Sequence, residues 1–260
     1  MPIVTLTTDF GESDHFVGVM KGMVLSLAPR ATLVDISHQI APYSVTEGAF
    51  VISEAYRYFP KGTIHVVVVD PGVGTARRPL LVQAAGQYFI GPDNGVLAMV
   101  YLNQRARVRE LSNRKYFRQE ISQTFHGRDV FAPVAGHLAK GVKPALLGKT
   151  VDDYLRPTHL NPVRMGKRQW AGVVVKVDRF GNLITNFRPD NVPDFVTRAF
   201  TLVAGVTPVE KLVKTYAEGA YGLPVVIVGS GGYVEVVVNQ GNAAKLLGCV
   251  SGTPVELTLY

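Results

Sequence analysis

The sequence predicts two domains of different class: an α/β domain with a mainly parallel sheet over residues 1–160, and an all-β domain, a small antiparallel barrel or sandwich, over residues 170–260. Strand and helix patterns alternate in the first half, whereas short β-branched runs separated by Gly, Pro, Asn and Asp fill the second. Between them, residues 161–169 belong to a charged, proline-containing stretch with little periodicity, which predicts a linker. Of the 260 residues, 47% are hydrophobic and 18% charged, which is ample material for a packed core.

The α/β prediction follows from the order of elements in the first half. The apolar run 2–7 predicts a strand, and in 15–28 the apolar residues recur at helical spacing, with Pro29 beyond the end. Further strands are expected at 32–36 and 64–69, a second helix at 45–58, a hairpin of 80–84 with 87–90, and a short helix at 95–102. The β-branched character of the third strand favours burial on both faces, as in a parallel sheet covered by helices.

The all-β prediction for the second half rests on the spacing of its apolar runs. Turn-forming residues interrupt these runs at short intervals, which is typical of a small antiparallel sandwich or barrel. The strands are expected at 172–177, 183–186, 199–203, 225–228, 233–238 and 255–259.

Composition and motifs argue against several classes of protein. The net charge is +7, but the basic residues are scattered, and the denser runs 105–109 and 164–168 lack the interleaved aromatics of a nucleic-acid surface. No apolar run approaches the length of a membrane span, and the N-terminal residues do not resemble a signal peptide, so a cytoplasmic protein is expected. The single cysteine, Cys249, lies in an apolar segment and is expected to be a small buried side chain rather than a catalytic thiol.

The sequence also lacks the common motifs for metals and cofactors. It contains no HExxH, CxxC or EF-hand loop, and no P-loop or GxGxxG. We therefore expect neither a metal ion nor a cofactor.

Polar residues follow each of the first three predicted strands. Asp9 comes after the first, the segment 35–38 ends the second, and Asp70 follows the third. Ligands of open α/β sheets bind at the carboxyl ends of strands, so these groups could share one site. Each could instead be a turn or helix-capping residue. His126, in TFHGRD, suits proton transfer, although on the residues alone such a histidine is more often structural.

Seven long segments of the chain closely resemble the S-adenosyl-L-methionine (SAM) hydroxide adenosyltransferases, which are homologous to fluorinating and chlorinating enzymes that use the same substrate. These segments are LTTDFGESDHFVGVMKG (6–22), VDISHQIAP (34–42), FPKGTIHVVVVDPGVGTARRP (59–79), GPDNGVL (91–97), TFHGRDVFAP (124–133), DRFGNLITNF (178–187) and GSGGYVEVVVNQGNAAKLLG (229–248). The resemblance covers nearly the whole chain and both predicted domains.

The resemblance implies a nucleophilic substitution at C5′ of the SAM ribose, with water as the nucleophile and with adenosine and methionine as products. SAM is then the substrate, and no cofactor is needed. The family's proposed Asp–Arg–His set for activating water corresponds to Asp70, Arg77 and His126. An arginine beside Asp70 would stabilise its ionised form, which can accept a hydrogen bond from the water. Arg78 is adjacent, so the choice of Arg77 rests on the register of the motif.

The resemblance also implies substrate contacts in the first domain. Asp9 corresponds to the residue that accepts from both ribose hydroxyls, and Asp14 to the one that meets the methionine ammonium. Tyr43 and Phe125 correspond to aromatic walls of the ribose and sulfonium pocket.

In the second domain, Phe180 and Asn182 correspond to residues that stack on and hydrogen-bond the adenine. Asp178 and Ser230 correspond to positions near the methionine end. In relatives, the pocket lies between the first domain of one subunit and the second domain of its neighbour, which implies a homotrimer.

The chain departs from the halogenating relatives in ways that favour water over halide. Those relatives have a tyrosine where this chain has Asp70 and a serine where it has Gly127, and fluorinating relatives carry an insertion for which the hairpin 80–90 leaves no obvious room. Gly231 stands where some relatives have arginine. Two alternatives remain open: a halide-dependent SAM adenosyltransferase, and a SAM- or adenosine-binding regulator with negligible turnover.

Overall fold

The computed structural model describes residues 1–158 and 160–260, without the side chain of residue 103. The described chain forms two compact units, 1–157 and 158–260. The predicted fold class is confirmed: a mixed, mostly parallel sheet with helices occupies the first unit, and antiparallel β-structure occupies the second. The segment 161–169, predicted as a linker, lies within the second unit. Among the described residues, no helix is both long and apolar enough to cross a membrane.

The first unit is built on a six-stranded sheet in the order β2-β1-β3-β5-β4-β6. β1, β2, β3 and β5 pair in parallel, and β4 runs antiparallel to both β5 and β6. The strands are β1 Ile3–Thr8, β2 Thr32–Ser37, β3 Ile64–Val68, β4 Pro79–Ala84, β5 Gln87–Pro92 and β6 Arg107–Glu110. The register pairs Thr8 with Val68, so β1 and β3 end at the same edge of the sheet.

Four helices accompany this sheet among the described residues of the first unit. They are α1 Phe16–Leu27, α2 Val45–Ala55, α3 Ala98–Asn103 and α4 Ala132–Ala139. A π-helical turn, Gly127–Phe131, leads directly into α4. Val4, Leu6, Val66 and Val68 of the central strands are buried in a core that also contains apolar residues of α1 and α4.

Helix α4 and strand β6 are the elements of this unit that the sequence patterns did not predict. Pro133 and Gly136 interrupt the apolar pattern of α4, yet both suit their places in it. Pro133 is the second residue of α4 and follows the π-helical turn directly. Gly136 packs against α1, and a Cβ there would lie 2.9 Å from the Cβ of Leu27. Strand β6 includes the end of the basic run 105–109, whose charges hid its pairing with β4.

The sheet of the first unit contains a buried histidine that is purely structural. The ring nitrogens of His65 lie 2.7 Å from Thr5 Oγ1 and 3.2 Å from Gln87 Oε1, and its ring stacks on Phe89 at 4.8 Å. Burial lowers the pKa of His65 to about 4, so the ring is neutral at pH 7. Because both nitrogens are partnered and the residue has no exposed surface, His65 has no access to a ligand.

The second unit is a nearly closed antiparallel barrel. Its strands are β7 Val163–Arg164, β8 Gln169–Val177, β9 Leu183–Thr185, β10 Phe200–Ala204, β11 Thr207–Val209, β12 Pro224–Val228, β13 Val234–Val238 and β14 Pro254–Leu259, with a short helix α5 Ala243–Leu247. Their order is β11-β10-β14-β8-β9-β13-β12, with β7 paired to β8. Lys211 and Val213, after β11, exchange hydrogen bonds with Val226 of β12, which brings the two edges of the sheet together.

Candidate active site

Two carboxylates lie at the same edge of the first unit's sheet because of its register. Asp9 follows β1 directly, and Asp70 lies two residues beyond the end of β3, the neighbouring parallel strand. The carboxyl edge of a parallel sheet is where such folds bind ligands. Burial raises the pKa of Asp9, and the negative charge of Asp70 adds a smaller contribution in the same direction.

Asp70, Arg77 and His126, predicted as a catalytic set, lie together in the structure. Arg77 Nε donates to Asp70 Oδ1 at 2.9 Å, and Arg77 Nη2 also contacts Asp70 Oδ2. The same Nη2 lies 2.8 Å from His126 Nδ1. The side chains of Asp70 and Arg77 are only 5% and 8% exposed, so this is a buried, two-pronged ion pair extended by an imidazole.

The turn after β3 brings Arg77 back to Asp70. Val73 N donates to Asp70 O at 3.2 Å, and Thr75 N donates to Gly72 O at 3.1 Å, which folds the chain tightly. Gly74 has a φ of +79°, and a Cβ there would lie 2.3 Å from Gln123 O. Only glycine allows this approach, which holds the turn against the segment that leads to His126.

Arg77 and Arg78, which the sequence could not separate, have different partners. Arg78 Nη2 donates to Asp93 Oδ2 at 2.8 Å, and Arg78 Nη1 donates to Asp153 Oδ1 at 2.7 Å. Arg78 therefore holds the PDNG turn and the segment near residue 153, away from Asp70. Asn94 of this turn donates to Val69 O at 2.9 Å, next to Asp70, so the turn has the structural role that its sequence suggests.

The contact with Arg77 determines which nitrogen of His126 is free. A guanidinium can only donate, so Nδ1 of His126 is the acceptor, and the neutral ring carries its proton on Nε2. Burial and the positive charge of Arg77 lower the pKa of His126, against the opposing effects of Asp70 and Asp129. The ring is therefore neutral at pH 7, and protonation at Nδ1 would break its bond to Arg77.

A buried carboxylate holds the π-helical turn next to His126. Asp129 has no exposed surface and accepts from Arg128 Nε at 2.7 Å, from Arg118 Nη1 at 2.9 Å and from Ser122 N at 2.8 Å. Burial raises the pKa of Asp129, but these hydrogen bonds outweigh it, and the pKa lies below its usual value. Arg128 and Asp129, which follow His126 in sequence, thus bind each other and a loop, and neither forms a hydrogen bond to His126.

Asp9 is oriented by the backbone of a second predicted site residue. Tyr43 N donates to Asp9 Oδ2 at 2.9 Å, and Tyr43 has a φ of +67°, an uncommon conformation for a tyrosine. Burial is the main reason that the pKa of Asp9 is raised. The ring of Tyr43 is 74% exposed, and Asp14 is exposed in the loop before α1.

Phe125, predicted to wall the substrate pocket, belongs to an aromatic cluster. It packs edge-to-face on Phe10 at 6.0 Å and on Phe16 at 5.3 Å, and these two pack on each other at 5.8 Å. The sequence patterns did not single out Phe10 and Phe16 beside Phe125. Phe10 directly follows Asp9 in sequence, which is the one signal that could have indicated its place near that residue.

A hydrogen-bond network lies behind Asp9. Thr8 Oγ1 is 2.8 Å from His38 Nδ1, and His38 Nε2 is 3.0 Å from Asp35 Oδ1. The backbone of His38 also accepts from Gly11 N at 2.8 Å, so the residues on both sides of Asp9 are held by the end of β2. The sequence placed Asp35 and His38 at a strand end, and the network gives them a positioning role.

In the second unit, three predicted substrate residues share one turn after β8. Asp178 Oδ1 accepts from the backbone N–H groups of Phe180 and Asn182, each at 2.9 Å, and Asp178 Oδ2 accepts from Asn182 Nδ2 at 2.8 Å. This leaves Asn182 buried and the ring of Phe180 76% exposed. Ser230 is exposed in the turn between β12 and β13.

The described residues contain no group of three or more His, Cys, Asp or Glu side chains that could hold a metal ion. Cys249 is buried, and burial raises the pKa of its thiol.

Comparisons with known proteins match nearly the full chain to one family. The SAM hydroxide adenosyltransferase N-terminal domain matches residues 4–148, and the corresponding C-terminal domain matches residues 172–256. An "(R)-S-adenosyl-L-methionine hydrolase" of Thermus thermophilus is 37% identical over 98% of both chains. A fluorinase of an Actinoplanes species is 30% identical over 99% of this chain and 97% of its own. The crystal structure of an uncharacterized conserved protein from Thermotoga maritima has a TM-score of 0.88 at 33% identity, covering 99% of this chain and 100% of that one.

Replacing Arg77 by Gln should raise the pKa of His126, because it removes a positive charge that lowers the pKa and leaves Asp129 and Asp70 in place. In the wild type, the pKa of His126 is lowered, so the Nε2–H tautomer should persist to a pH below the ordinary pKa of a histidine. Proton–nitrogen NMR spectra of the histidine side chains, recorded across this range, report both the tautomer and the pKa.

The matched control is Arg78→Gln, which removes an arginine that is adjacent in sequence but bound elsewhere. An unchanged His126 titration in Arg77→Gln, or an Nδ1–H tautomer in the wild type, would contradict the assigned contact.

Proposed function

Because the chain belongs to the SAM hydroxide adenosyltransferase family, we propose that it hydrolyses SAM to adenosine and L-methionine. The oxygen of water forms a bond to C5′ of the ribose, the C5′–S bond breaks, and its electron pair converts the sulfonium to the thioether of methionine. Water gives up one proton. The observation that carries the proposal is the buried assembly of Asp70, Arg77 and His126 at the carboxyl edge of the sheet.

In this mechanism Asp70 accepts a hydrogen bond from the attacking water and takes its proton. Arg77 engages both oxygens of Asp70, which fixes the plane of the carboxylate and still leaves lone pairs for water. A fixed acceptor aligned with C5′ lowers the entropic barrier of the displacement. The sulfonium is already a good leaving group, so no acid is required on that side.

His126 acts on the carboxylate through Arg77 in this proposal. Its Nδ1 already accepts from Arg77, so it cannot take the proton of water there without breaking that bond. His126 is accordingly a positioning residue, and its Nε2–H remains able to donate. The lowered pKa of His126 keeps the arrangement intact at neutral pH, and we expect hydrolysis to decline as the pH falls through that value.

The substrate roles follow the resemblance. Asp9, held by Tyr43 N, would accept from the two ribose hydroxyls, since a carboxylate has lone pairs to spare. The aromatic walls would be Tyr43 and Phe125. Asp14 would meet the methionine ammonium. In the second unit, the substrate contacts would come from Asp178, Phe180, Asn182 and Ser230.

The fluorinase relative makes halide transfer the second candidate function. The packing around Gly127 disfavours it. A Cβ there would lie 3.0 Å from Met20 Sδ and 3.2 Å from the Phe125 ring, so the serine of halogenating relatives would require both neighbours to move. A regulator that binds SAM without turning it over is the third candidate.

The products formed from SAM distinguish these candidates. Incubation in ¹⁸O-labelled water, without halide or with chloride or fluoride added, should give adenosine carrying one ¹⁸O at C5′ in every case. Mass spectrometry of the nucleoside checks this. Halogenated adenosine as the main product would establish the second candidate, and tight SAM binding without product would establish the third.

Asp70→Ala should retain SAM binding and lose hydrolysis by on the order of 10²–10⁴-fold, because Asp70 acts on water and not on the substrate. Asp9→Ala is the matched contrast, and it should weaken SAM binding by about tenfold or more because the ribose contacts are lost. Calorimetric binding and initial rates separate the two effects, and thermal denaturation checks that each variant is folded. Unchanged turnover in Asp70→Ala would remove Asp70 from the mechanism.

We also propose that the enzyme is a cytoplasmic homotrimer in which a neighbouring subunit completes each site. The exposed rings of Tyr43 and Phe180, both assigned to substrate contacts, support the need for such a cover. Light scattering should give a mass about three times the 28.2 kDa of one chain. A monomer that is fully active would refute the shared site.

A further inference from the structure

A glutamate stands in the middle of an otherwise apolar strand of the second unit. Strand β13 reads VEVVV, and Glu235 is only 9% exposed. Val234, Val236 and Val238 point into the core of the barrel. Glu235 lies on the opposite face of the strand, where the register places it beside Ile227 of β12 and Ile184 of β9.

The carboxylate of Glu235 has no hydrogen-bond donor or positively charged partner among the described residues. Burial and the nearby charge of Asp178 raise its pKa to about 7, with no cation to offset them. A buried carboxyl group without a partner is costly, and proteins usually pair such groups. An unpaired carboxylate at a binding surface is therefore well suited to a ligand that supplies a hydrogen-bond donor.

The surroundings of Glu235 are the parts of the second unit already assigned to the substrate. A Cβ on Gly229 would lie 1.8 Å from Glu235 Oε1, so the carboxylate rests against the backbone beside Ser230. Arg188 Nη1 donates to Gly231 O at 3.0 Å, which holds this turn in place. Asp178, on the other side, caps the turn that carries Phe180. Glu235 thus lies between the two turns that hold the proposed contacts.

We propose that Glu235 binds the primary ammonium group of the substrate's amino-acid portion, together with Asp178. This inference rests on the proposed function. An alkylammonium has three N–H donors, enough for Glu235 and Asp178 and for Asp14, the third carboxylate already assigned to this group, and its charge offsets the mutual repulsion of Glu235 and Asp178. The amino group of adenine is neutral, so binding it here would not offset the repulsion between the carboxylates of Glu235 and Asp178. A side chain at position 229 would collide with the Glu235 carboxylate, so glycine is required there for the carboxylate to lie beside the Ser230 turn.

The test compares two ligands that differ only in the ammonium group: SAM and its analogue without the α-amino group. Glu235→Gln should weaken SAM binding by about tenfold or more, since it removes a charge-assisted hydrogen bond, and should leave the affinity for the analogue nearly unchanged. KM should rise while kcat changes little, because the ammonium group takes no part in the bonds that form and break. Glu235→Asp, which keeps the charge but retracts it, should fall between the wild type and Glu235→Gln.

Glu256→Gln, on the exposed face of β14, is the matched control and should bind both ligands like the wild type. Equal losses for both ligands in Glu235→Gln would mean a structural role and overturn the proposal, as would unchanged SAM binding. This failure differs from a failure of the proposed function. A wild type that bound SAM without hydrolysing it would still show whether the effect of Glu235→Gln depends on the ammonium group of the ligand.

Discussion

The two-pronged ion pair between Arg77 and Asp70 is the interaction on which the candidate site depends. Both side chains are buried, so neither charge has bulk water as an alternative partner. Removing one member of such a pair leaves an uncompensated charge, which typically costs about 3–5 kcal/mol. The pair also occupies fixed lone pairs of Asp70, and the same guanidinium holds His126. One side chain therefore sets the orientation of the carboxylate and the tautomer of the imidazole.

The fold supplies this arrangement through local constraints that reinforce each other. Parallel pairing of β1 with β3 places Asp9 and Asp70 at one edge. The tight turn after β3 returns Arg77 to that edge, and the hydrogen bonds of buried Asp129 hold the segment on which His126 lies. Two histidines show how environment separates structure from function: His65 has both nitrogens paired inside the sheet, whereas His126 keeps one nitrogen free.

Much of the fold and the site could be predicted from the sequence, and the failures have physical causes. Alternating patterns were enough for the α/β and all-β classes, and the resemblance pointed to Asp70 and His126, whose side chains the structure brings together around Arg77. Arg77 could not be separated from Arg78, because neighbouring residues differ only in the direction that the turn gives them. The pattern does not predict helix α4 because Pro133 and Gly136 interrupt it, and the need for Gly136 is explained only by its close packing on α1. The hydrogen-bond partners of the His38 side chain could not be predicted either, because they depend on the register of the strands.

The contact of Gly74 with Gln123 O has a consequence for exchanging parts between members of this family. The turn that carries Arg77 and the loop that precedes His126 meet backbone to backbone, with no side chain between them to absorb a change in length. A residue inserted in either one would move the guanidinium and the imidazole apart, although neither residue had been altered. The two segments should therefore be exchanged together. A chimera of two family members that takes one segment from a parent should take the other segment from the same parent.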